Sequence, residues 1–125
     1  MVKDVFLTEA ENKLANLIWR EESLMSPDLV ALAEKELDWK KSTTYTILKK
    51  LCDKGVVKNE SAKVSVMLTR EEQMARQSHR YVESTFGGSL PRFIASFIGN
   101  RNLSQEEVSA LRQLIDSYEG GDLND

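Results

Sequence analysis

The chain has 125 residues, of which 41% are hydrophobic, 30% are charged and 7% are aromatic. This size and composition are typical of one small globular domain, or of a compact domain with an appendage, and they predict a mainly aliphatic core. No apolar run approaches the roughly 20 residues that cross a bilayer, and the first twenty residues lack a basic segment followed by an apolar block. We therefore expect a cytoplasmic protein without membrane insertion.

Positive charge is concentrated in one part of a chain whose net charge is −3. Residues 39–63 hold seven lysines and two acidic residues, a balance of +5, so the remainder of the chain sums to −8. A basic patch on an acidic body is typical of a surface that binds a polyanion such as nucleic acid. The alternative is a solvated face that happens to be rich in lysine.

Two helices are predicted in the first part of the chain by their capping residues and apolar spacing. Thr8 and Glu11 form a capping box at the start of the first helix. For the second helix the sequence predicts Ser26 as the cap and Pro27 at the first helical position.

The third predicted helix runs from about residue 41 to Lys54 and ends at Gly55, the residue type best suited to a left-handed helix terminus. With Ile47 and Leu51 at its buried centre, a rotation of about 100° per residue leaves a polar outer face. The outward residues are Ser42, Tyr45, Thr46, Lys49 and Asp53, with Lys50 on the flank. Such a face suits a helix laid in the major groove of DNA, where hydroxyls approach base edges and lysines neutralise phosphates.

After Gly55 the apolar period changes from helical to two, which predicts β-structure. Two short strands, over 56–60 and 63–68, are joined by a tight turn at Ser61 and Ala62. Three helices followed by a hairpin are the order of a winged helix-turn-helix domain, which is mainly α with a small β-hairpin wing. Lys58 and Lys63 lie on this predicted wing, where they can reach the DNA backbone.

The second half of the chain is predicted to be helical, with a break at Gly87–Gly88 and a last helix that begins at the capping box of Ser104 and Glu107. Its apolar side chains exceed what one broken helical arm can bury, so we expect a second copy of the chain to cover them. The candidate dimerisation residues are Tyr81, Phe86, Phe93, Phe97, Leu103, Leu111 and Ile115. The alternative is that these helices pack back on the N-terminal domain.

Two domains are therefore predicted. Residues 1–70 form a winged-helix DNA-binding domain, and residues 71–125 form a helical dimerisation domain whose acidic tail is expected to fray. No internal repeat or low-complexity linker separates them.

No pattern in the sequence brings together residues for catalysis or metal binding. His79 is the single histidine and has no cysteine beside it, while Cys52 is expected to be a small buried apolar residue. Glycine-rich phosphate loops and paired acid/base carboxylates are also absent from the sequence. We therefore expect neither an enzyme nor a metal or other cofactor. Trp19 and Trp39 are expected to anchor the core rather than to stack on bases.

Several segments together resemble the penicillinase-repressor family, the BlaI/MecI group of bacterial regulators to which the CopY repressors also belong. The resemblance rests on "LTEAE" with the following "IW", on "DWKKSTTYTILKKLCDKG", and on "FGGSLPRFIASFI" and "LSQEEVSALRQLI", and it covers roughly residues 7–118. It implies a homodimeric transcriptional repressor that binds a dyad-symmetric operator in double-stranded DNA near a promoter. The winged-helix domains would lie at the two ends of the dimer, with the helical dimerisation domain between them.

The same resemblance implies a regulatory protease or sensor pathway that ends repression by cutting the dimerisation domain. The family's asparagine–phenylalanine cleavage step maps onto Ser96–Phe97, so serine stands here in place of asparagine. The copper-responsive branch carries a cysteine-rich motif near its C-terminus that this sequence lacks, which disfavours copper sensing. A serine–proline pair that often opens the family's recognition helix corresponds here to Lys40 and Lys41, and its usual threonine and arginine contacts map to Thr43 and Tyr45.

The residues of the predicted DNA surface divide into two roles. Base-proximal contacts are assigned to Ser42, Thr43, Tyr45 and Thr46, and phosphate contacts to Lys40, Lys41, Lys49, Lys50, Lys58 and Lys63. The alternative function is a winged-helix protein-interaction module without a specific DNA target, whose basic face meets an acidic partner.

Overall fold

The computed structural model describes residues 4–99 and 101–118. In chain order the elements are α1 (Glu9–Glu21), β1 (Ser23–Met25), α2 (Ser26–Leu37), α3 (Lys41–Asp53), β2 (Val57–Glu60), β3 (Lys63–Val66), α4 (Arg70–Phe86), α5 (Leu90–Ile98) and α6 (Gln105–Ser117). None of the described helices is long and apolar enough to span a bilayer.

The core lies where α1, α2 and α3 pack together over the sheet. Aliphatic side chains of all three helices, among them Ile18, Leu29 and Leu51, are completely buried. Trp19 and Trp39 pack against this core, as predicted, and the indole nitrogen of Trp19 donates a hydrogen bond of 2.9 Å to the carbonyl of Leu68. Burial of one such aliphatic side chain is worth about 1.5–3 kcal/mol, so this cluster is the main source of stability of the N-terminal half.

The sheet has three antiparallel strands in the order β1-β3-β2. The β2–β3 hairpin is the predicted one, and its two turn residues, Ser61 and Ala62, both adopt positive φ, at 52° and 67°. Two consecutive residues with positive φ are typical of a turn whose twist matches that of a hairpin. The sequence does not predict strand β1, which pairs with β3 and places Leu24 opposite Val64.

The predicted cap of α2 is wrong. Met25, the last residue of β1, stands at the cap position and makes no side-chain capping bond, while Ser26 is already helical and buried. The backbone amide of Ser26 donates instead to the carbonyl of Ala62 at 2.7 Å. The strand therefore runs directly into the helix, and the hairpin turn satisfies the amide that a preceding loop would have left free.

Helix α4 leads from the wing to the C-terminal helices. It begins with a capping box of Thr69 and Glu72 and ends at Gly87, which adopts the left-handed conformation. Edge-to-face aromatic contacts connect α4 to α5. The ring centroid of Phe93 lies 6.0 Å from that of Tyr81 and 5.5 Å from that of Phe86. The predicted capping box of α6 is confirmed as well.

Burial is unevenly distributed along the described part of the chain. Neither α5 nor α6 contains a buried residue, whereas every buried apolar side chain lies at or before Val64. The outer stripe of α6 is strongly exposed, at 67% for Leu114 and 68% for Ile115. The C-terminal helices therefore do not pack back on the core of the N-terminal half.

Candidate nucleic-acid interface

Helix α3 separates an apolar side from a polar side, as its sequence predicts. Thr44, Leu48 and Leu51 are buried, and α3 packs through them on α1 and α2. The opposite side exposes three hydroxyls and a lysine, which we call the recognition face: Ser42, Thr43, Thr46 and Lys49. The face thus offers hydrogen-bonding groups and a positive charge without needing to disturb the core.

Tyr45 differs from the prediction that it projects outward. Its side chain is half-buried against the core, and its hydroxyl lies 3.3 Å from the hydroxyl of Ser26 on α2. At that separation the hydrogen bond is weak, because hydroxyl pairs prefer 2.7–2.8 Å. Tyr45 therefore helps to fix α3 on α2, and part of its side chain stays accessible to solvent.

The N-terminus of α3 is electrostatically open. Its cap position is held by Lys40, which makes no side-chain capping bond, and its first turn contains no acidic residue. Among the helices that the structure describes, each of the others has a capping side chain or an acid in its first turn. Lys40 and Lys41 are both exposed beside this end. The partial positive charge of the helix terminus and two ammonium groups therefore act at one place.

Two lysines of the predicted interface are paired with carboxylates of the chain itself. Lys49 lies 3.6 Å from Asp53 one turn later, and on the wing Lys58 lies 3.6 Å from Glu60. Both pairs are exposed, so each contributes little to stability and can open when a phosphate competes for the lysine. Lys63, Lys50 and the two paired lysines all remain accessible to solvent.

Lys54 is the exception among the lysines of the basic segment. Its ammonium group lies 2.7 Å from Glu11 and donates to the carbonyl of Phe6 at 2.6 Å. The two side chains of the ion pair are only 17% and 3% exposed. Lys54 therefore holds the end of α3 on α1 and does not belong to the solvent-facing charge.

A network of buried and partly buried polar groups, which we call the polar lock, joins α4 to this same point. Arg76 donates to the carbonyl of Lys54 at 2.8 Å and to Gln73 at 2.7 Å. Gln73, which is 1% exposed, donates to the carbonyl of Val5 at 2.7 Å and to Gln77 at 2.9 Å. The polar lock consists of Glu11, Lys54, Gln73, Arg76 and Gln77 with the backbone of residues 5–7.

No sequence pattern predicts the polar lock, because its partners are up to 70 positions apart and its side chains are typical of exposed helix positions. Burial lowers the pKa of Arg76, and the neighbouring positive charge of Arg80 lowers it further. Within the described residues, Nε of Arg76 is the one buried side-chain polar atom without a hydrogen-bond partner. Partial burial of a guanidinium is costly, and the two hydrogen bonds that Arg76 donates offset this cost.

The predicted dimerisation residues lie on α4, α5 and α6, with Leu103 just before α6. Tyr81, Phe86, Phe93 and Phe97 form a chain of ring contacts, and Phe97 is 55% exposed. Phe93, Phe97, Leu103 and Leu111 line an open apolar groove of about 390 Å³ between α5 and α6. Ile115 is exposed beyond it. Ser96 is exposed within α5, so cleavage at Ser96–Phe97 stays a prediction that would require local unwinding of this helix.

The single cysteine and the single histidine lie outside these surfaces. Cys52 is predicted to be buried, but it is only partly buried where it packs against the core. Burial, followed by the charge of Asp53, raises the pKa of its thiol. A raised pKa lowers the thiolate fraction and so the reactivity. His79 is exposed on α4.

Helix, strand, two helices and a hairpin, with the third helix packed across the bundle and the sheet ordered β1-β3-β2, define a winged helix-turn-helix protein. The family model described as "Penicillinase repressor" matches residues 7–117. The chain belongs to the penicillinase repressor family, as the sequence resemblance predicts.

Individual relatives are similar over most of their length. A penicillinase repressor of Bacillus licheniformis is 23% identical over 90% of this chain and 91% of its own. The methicillin resistance regulatory protein MecI of Staphylococcus aureus (strain N315) is 20% identical over 87% of this chain and 92% of its own. A crystal structure of the reduced form of MarR from E. coli covers 89% of this chain and 73% of that chain at 21% identity, with a TM-score of 0.45.

Proposed function

We propose that this protein is a homodimeric transcriptional repressor that binds a dyad-symmetric DNA operator with α3 as its recognition helix. The observation that carries the proposal is the N-terminus of α3, which has no capping side chain and no acid and is flanked by exposed Lys40 and Lys41. An end of this kind attracts a phosphate through the backbone amides, the helix dipole and the ammonium groups together. A phosphate held there would direct the recognition face toward the base edges.

Within this proposal the side chains of α3 have separate tasks. Ser42, Thr43 and Thr46 would approach base edges, with the edge of Tyr45 beside them. Phosphate contacts fall to the six exposed lysines: Lys40, Lys41, Lys49, Lys50, Lys58 and Lys63. The acidic remainder of the chain would limit indiscriminate binding, because it repels the DNA backbone outside the intended surface.

The dimer is supported by the exposure of the C-terminal helices. Leu114, Ile115 and Tyr118 are each at least 66% exposed, and they follow along the chain after Leu111, which lines the apolar groove between α5 and α6. A symmetric pair of chains would bury such a stripe on both copies at once. The division into a DNA-binding domain over 1–70 and a dimerisation domain over 71–125 is part of this proposal, although the first turns of α4 contact the N-terminal half.

Two substitutions on the recognition face test the assigned roles. In Lys49→Ala the affinity should fall by a similar factor for all DNA sequences, and the salt slope of binding should fall by about 0.9 for each copy in the dimer. In Thr46→Ala the salt slope of DNA binding should equal that of the wild-type protein, but the relative preference among DNA sequences should change. Binding isotherms for both variants at several salt concentrations separate these effects; equal effects on sequence preference would contradict the division of roles.

The same isotherms distinguish a protein-interaction module from an operator-binding repressor. A module of that kind would bind DNA weakly, with strong salt dependence and no sequence preference. Specific binding that exceeds binding to random DNA by about 10³ or more is expected for the repressor.

A further inference from the structure

The polar lock joins two parts of the molecule whose relative position matters for a dimer on DNA. On one side are the C-terminal end of α3, held through the carbonyl of Lys54, and the N-terminal segment, held through the carbonyl of Val5. On the other side is α4, which supplies Gln73, Arg76 and Gln77 from its first two turns. The amide of Leu7 also donates to the side chain of Gln77 at 3.1 Å, so the polar lock is hydrogen-bonded to the backbone on both sides of Phe6.

The far end of α4 has a different set of contacts. Tyr81 and Phe86 pack on Phe93 of α5, at centroid distances of 6.0 and 5.5 Å. One helix is therefore fixed at its start to the recognition helix and at its end to the proposed dimerisation helices. The direction in which α4 leaves the lock determines where the two recognition helices of a dimer lie.

We infer that Arg76, held between Gln73 and the carbonyl of Lys54, is a positioning residue that sets the half-site spacing this protein accepts in an operator. This inference rests on the proposed function, because it requires a dimer that reads two half-sites. Arg76 itself touches no base in this scheme. It acts through the angle at which α4 meets α3.

The geometry of a helix gives the size of the effect. Ten residues separate Arg76 from Phe86, which at 1.5 Å per residue is about 15 Å of helix. A change of about 10° in the direction of α4 moves its far end by about 2.6 Å over that length, and the two-fold axis of a dimer doubles the displacement to about 5 Å. One base-pair step is about 3.4 Å along the DNA axis, so a loosened lock supplies the axial displacement of a neighbouring spacing. Each step also rotates the half-site by about 35°, so the penalty should be reduced and not abolished.

The experiment measures tolerance to spacing with full-length protein. The probe is the inverted repeat that wild-type protein enriches from random duplex DNA, synthesised with its spacer shortened or lengthened by one and by two base pairs. Wild-type protein should lose about tenfold in affinity when the spacer changes by one base pair, a discrimination similar to that of one mismatched base pair. Arg76→Met, which removes the donors and the charge but keeps an unbranched stem, should lose no more than about threefold over the same change.

Arg80→Met is the matched control, since Arg80 lies one turn later on the same helix and is exposed. It removes the same charge but none of the hydrogen bonds of the polar lock, and it should keep the wild-type spacing profile. If Arg76→Met keeps that profile too, or if Arg80→Met flattens it equally, the inference is overturned while the proposed function stands. Wild-type protein with no spacing preference would instead overturn the proposed function itself.

A second variant covers the case in which Arg76→Met does not fold, as judged by the absence of a cooperative thermal transition. Arg76→Lys keeps the charge but replaces the planar guanidinium, which reaches both the carbonyl of Lys54 and Gln73, with a single ammonium group. A spacing penalty reduced from about tenfold to about threefold in this variant supports the inference. An unchanged penalty in a folded Arg76→Lys dimer overturns it.

Discussion

Replacing Lys54 with methionine removes the cation from the ion pair that holds the end of α3 on α1. The carboxylate of Glu11 is 3% exposed and its distance to the ammonium group is 2.7 Å, so the substitution leaves a charge buried without its partner. Breaking a buried pair in this way costs about 3–5 kcal/mol. For a chain of this length we expect the thermal midpoint to fall by about 12–20 °C, at roughly 4 °C per kcal/mol.

A double-mutant cycle isolates the ion pair from the loss of packing. Glu11→Gln keeps an oxygen that can accept from the amide of Thr8, so it should cost less than Lys54→Met, about 1.5–3 kcal/mol. The double variant should be more stable than the sum of the two single losses by about 1–3 kcal/mol. Urea denaturation at equal protein concentration measures all four proteins, and strictly additive losses would refute the reasoning.

The pH dependence of stability gives a second test of the same pair. Desolvation is the largest single influence and acts to raise the pKa of Glu11, but the hydrogen bonds from Lys54 and Thr8 and the charges of Lys54 and Lys50 together lower that pKa below its usual value. Because the folded-state pKa is depressed, the stabilisation is fully present above the unfolded-state pKa of about 4.3 and is lost as the pH falls through the folded-state value. The difference in unfolding free energy between wild type and Glu11→Gln should therefore shrink below about pH 4.3. A difference that stays constant from pH 7 to pH 3 would contradict it.

Two further substitutions test the proposed dimer and the electrostatics of the recognition face. Ile115→Lys should raise the dissociation constant of the dimer by about 10²–10⁴-fold, because about 1.5–3 kcal/mol of apolar burial is lost on each of two chains. Sedimentation measures the change, and the control Gln113→Lys, on the opposite side of α6, should remain dimeric. An Ile115→Lys dimer of wild-type affinity would refute the assignment. Asp53→Asn removes the carboxylate that lies 3.6 Å from Lys49, so binding to random duplex DNA should become tighter by about 2–10-fold at low salt, and unchanged or weaker binding in a fluorescence titration would contradict this.

Local features of the fold could be predicted from the sequence because each has a short chemical signature. The capping boxes at Thr8 and Ser104 need only two residues three positions apart, and both are present. The end of α3 near Gly55, which adopts φ 79°, follows from the freedom of glycine to enter the left-handed region. The hairpin turn followed from the change of apolar period on its two sides.

Features that depend on distant partners could not be predicted in this way. Strand β1 has only three residues, and it is a strand because β3 lies beside it, some 40 positions later in the chain. That pairing also displaced the cap predicted at Ser26. Tyr45 was assigned to the outer face by helical rotation alone, but a ring at the edge of that face gains more by packing on α2 than by full exposure.

The candidate site likewise has some features that follow from local sequence and others that depend on distant residues. The exposed hydroxyls and lysines of α3 follow from its amphipathic pattern. The removal of Lys54 from that surface follows from Glu11, which lies 43 positions earlier, and the role of Arg76 follows from carbonyl groups that carry no sequence signal. Electrostatic patterns along the chain thus identify the interface as a region, while the buried partners decide which of its charges face solvent.

The most direct test of the proposed function is selection of duplex DNA from a random pool by full-length protein at near-physiological salt, followed by sequencing. We predict enrichment of an inverted repeat whose half-sites lie about one helical turn, or about 10 base pairs, apart from centre to centre. The same selection with Thr46→Ala should enrich a repeat altered within each half-site. A pool that remains random after repeated rounds would contradict sequence-specific DNA binding by α3.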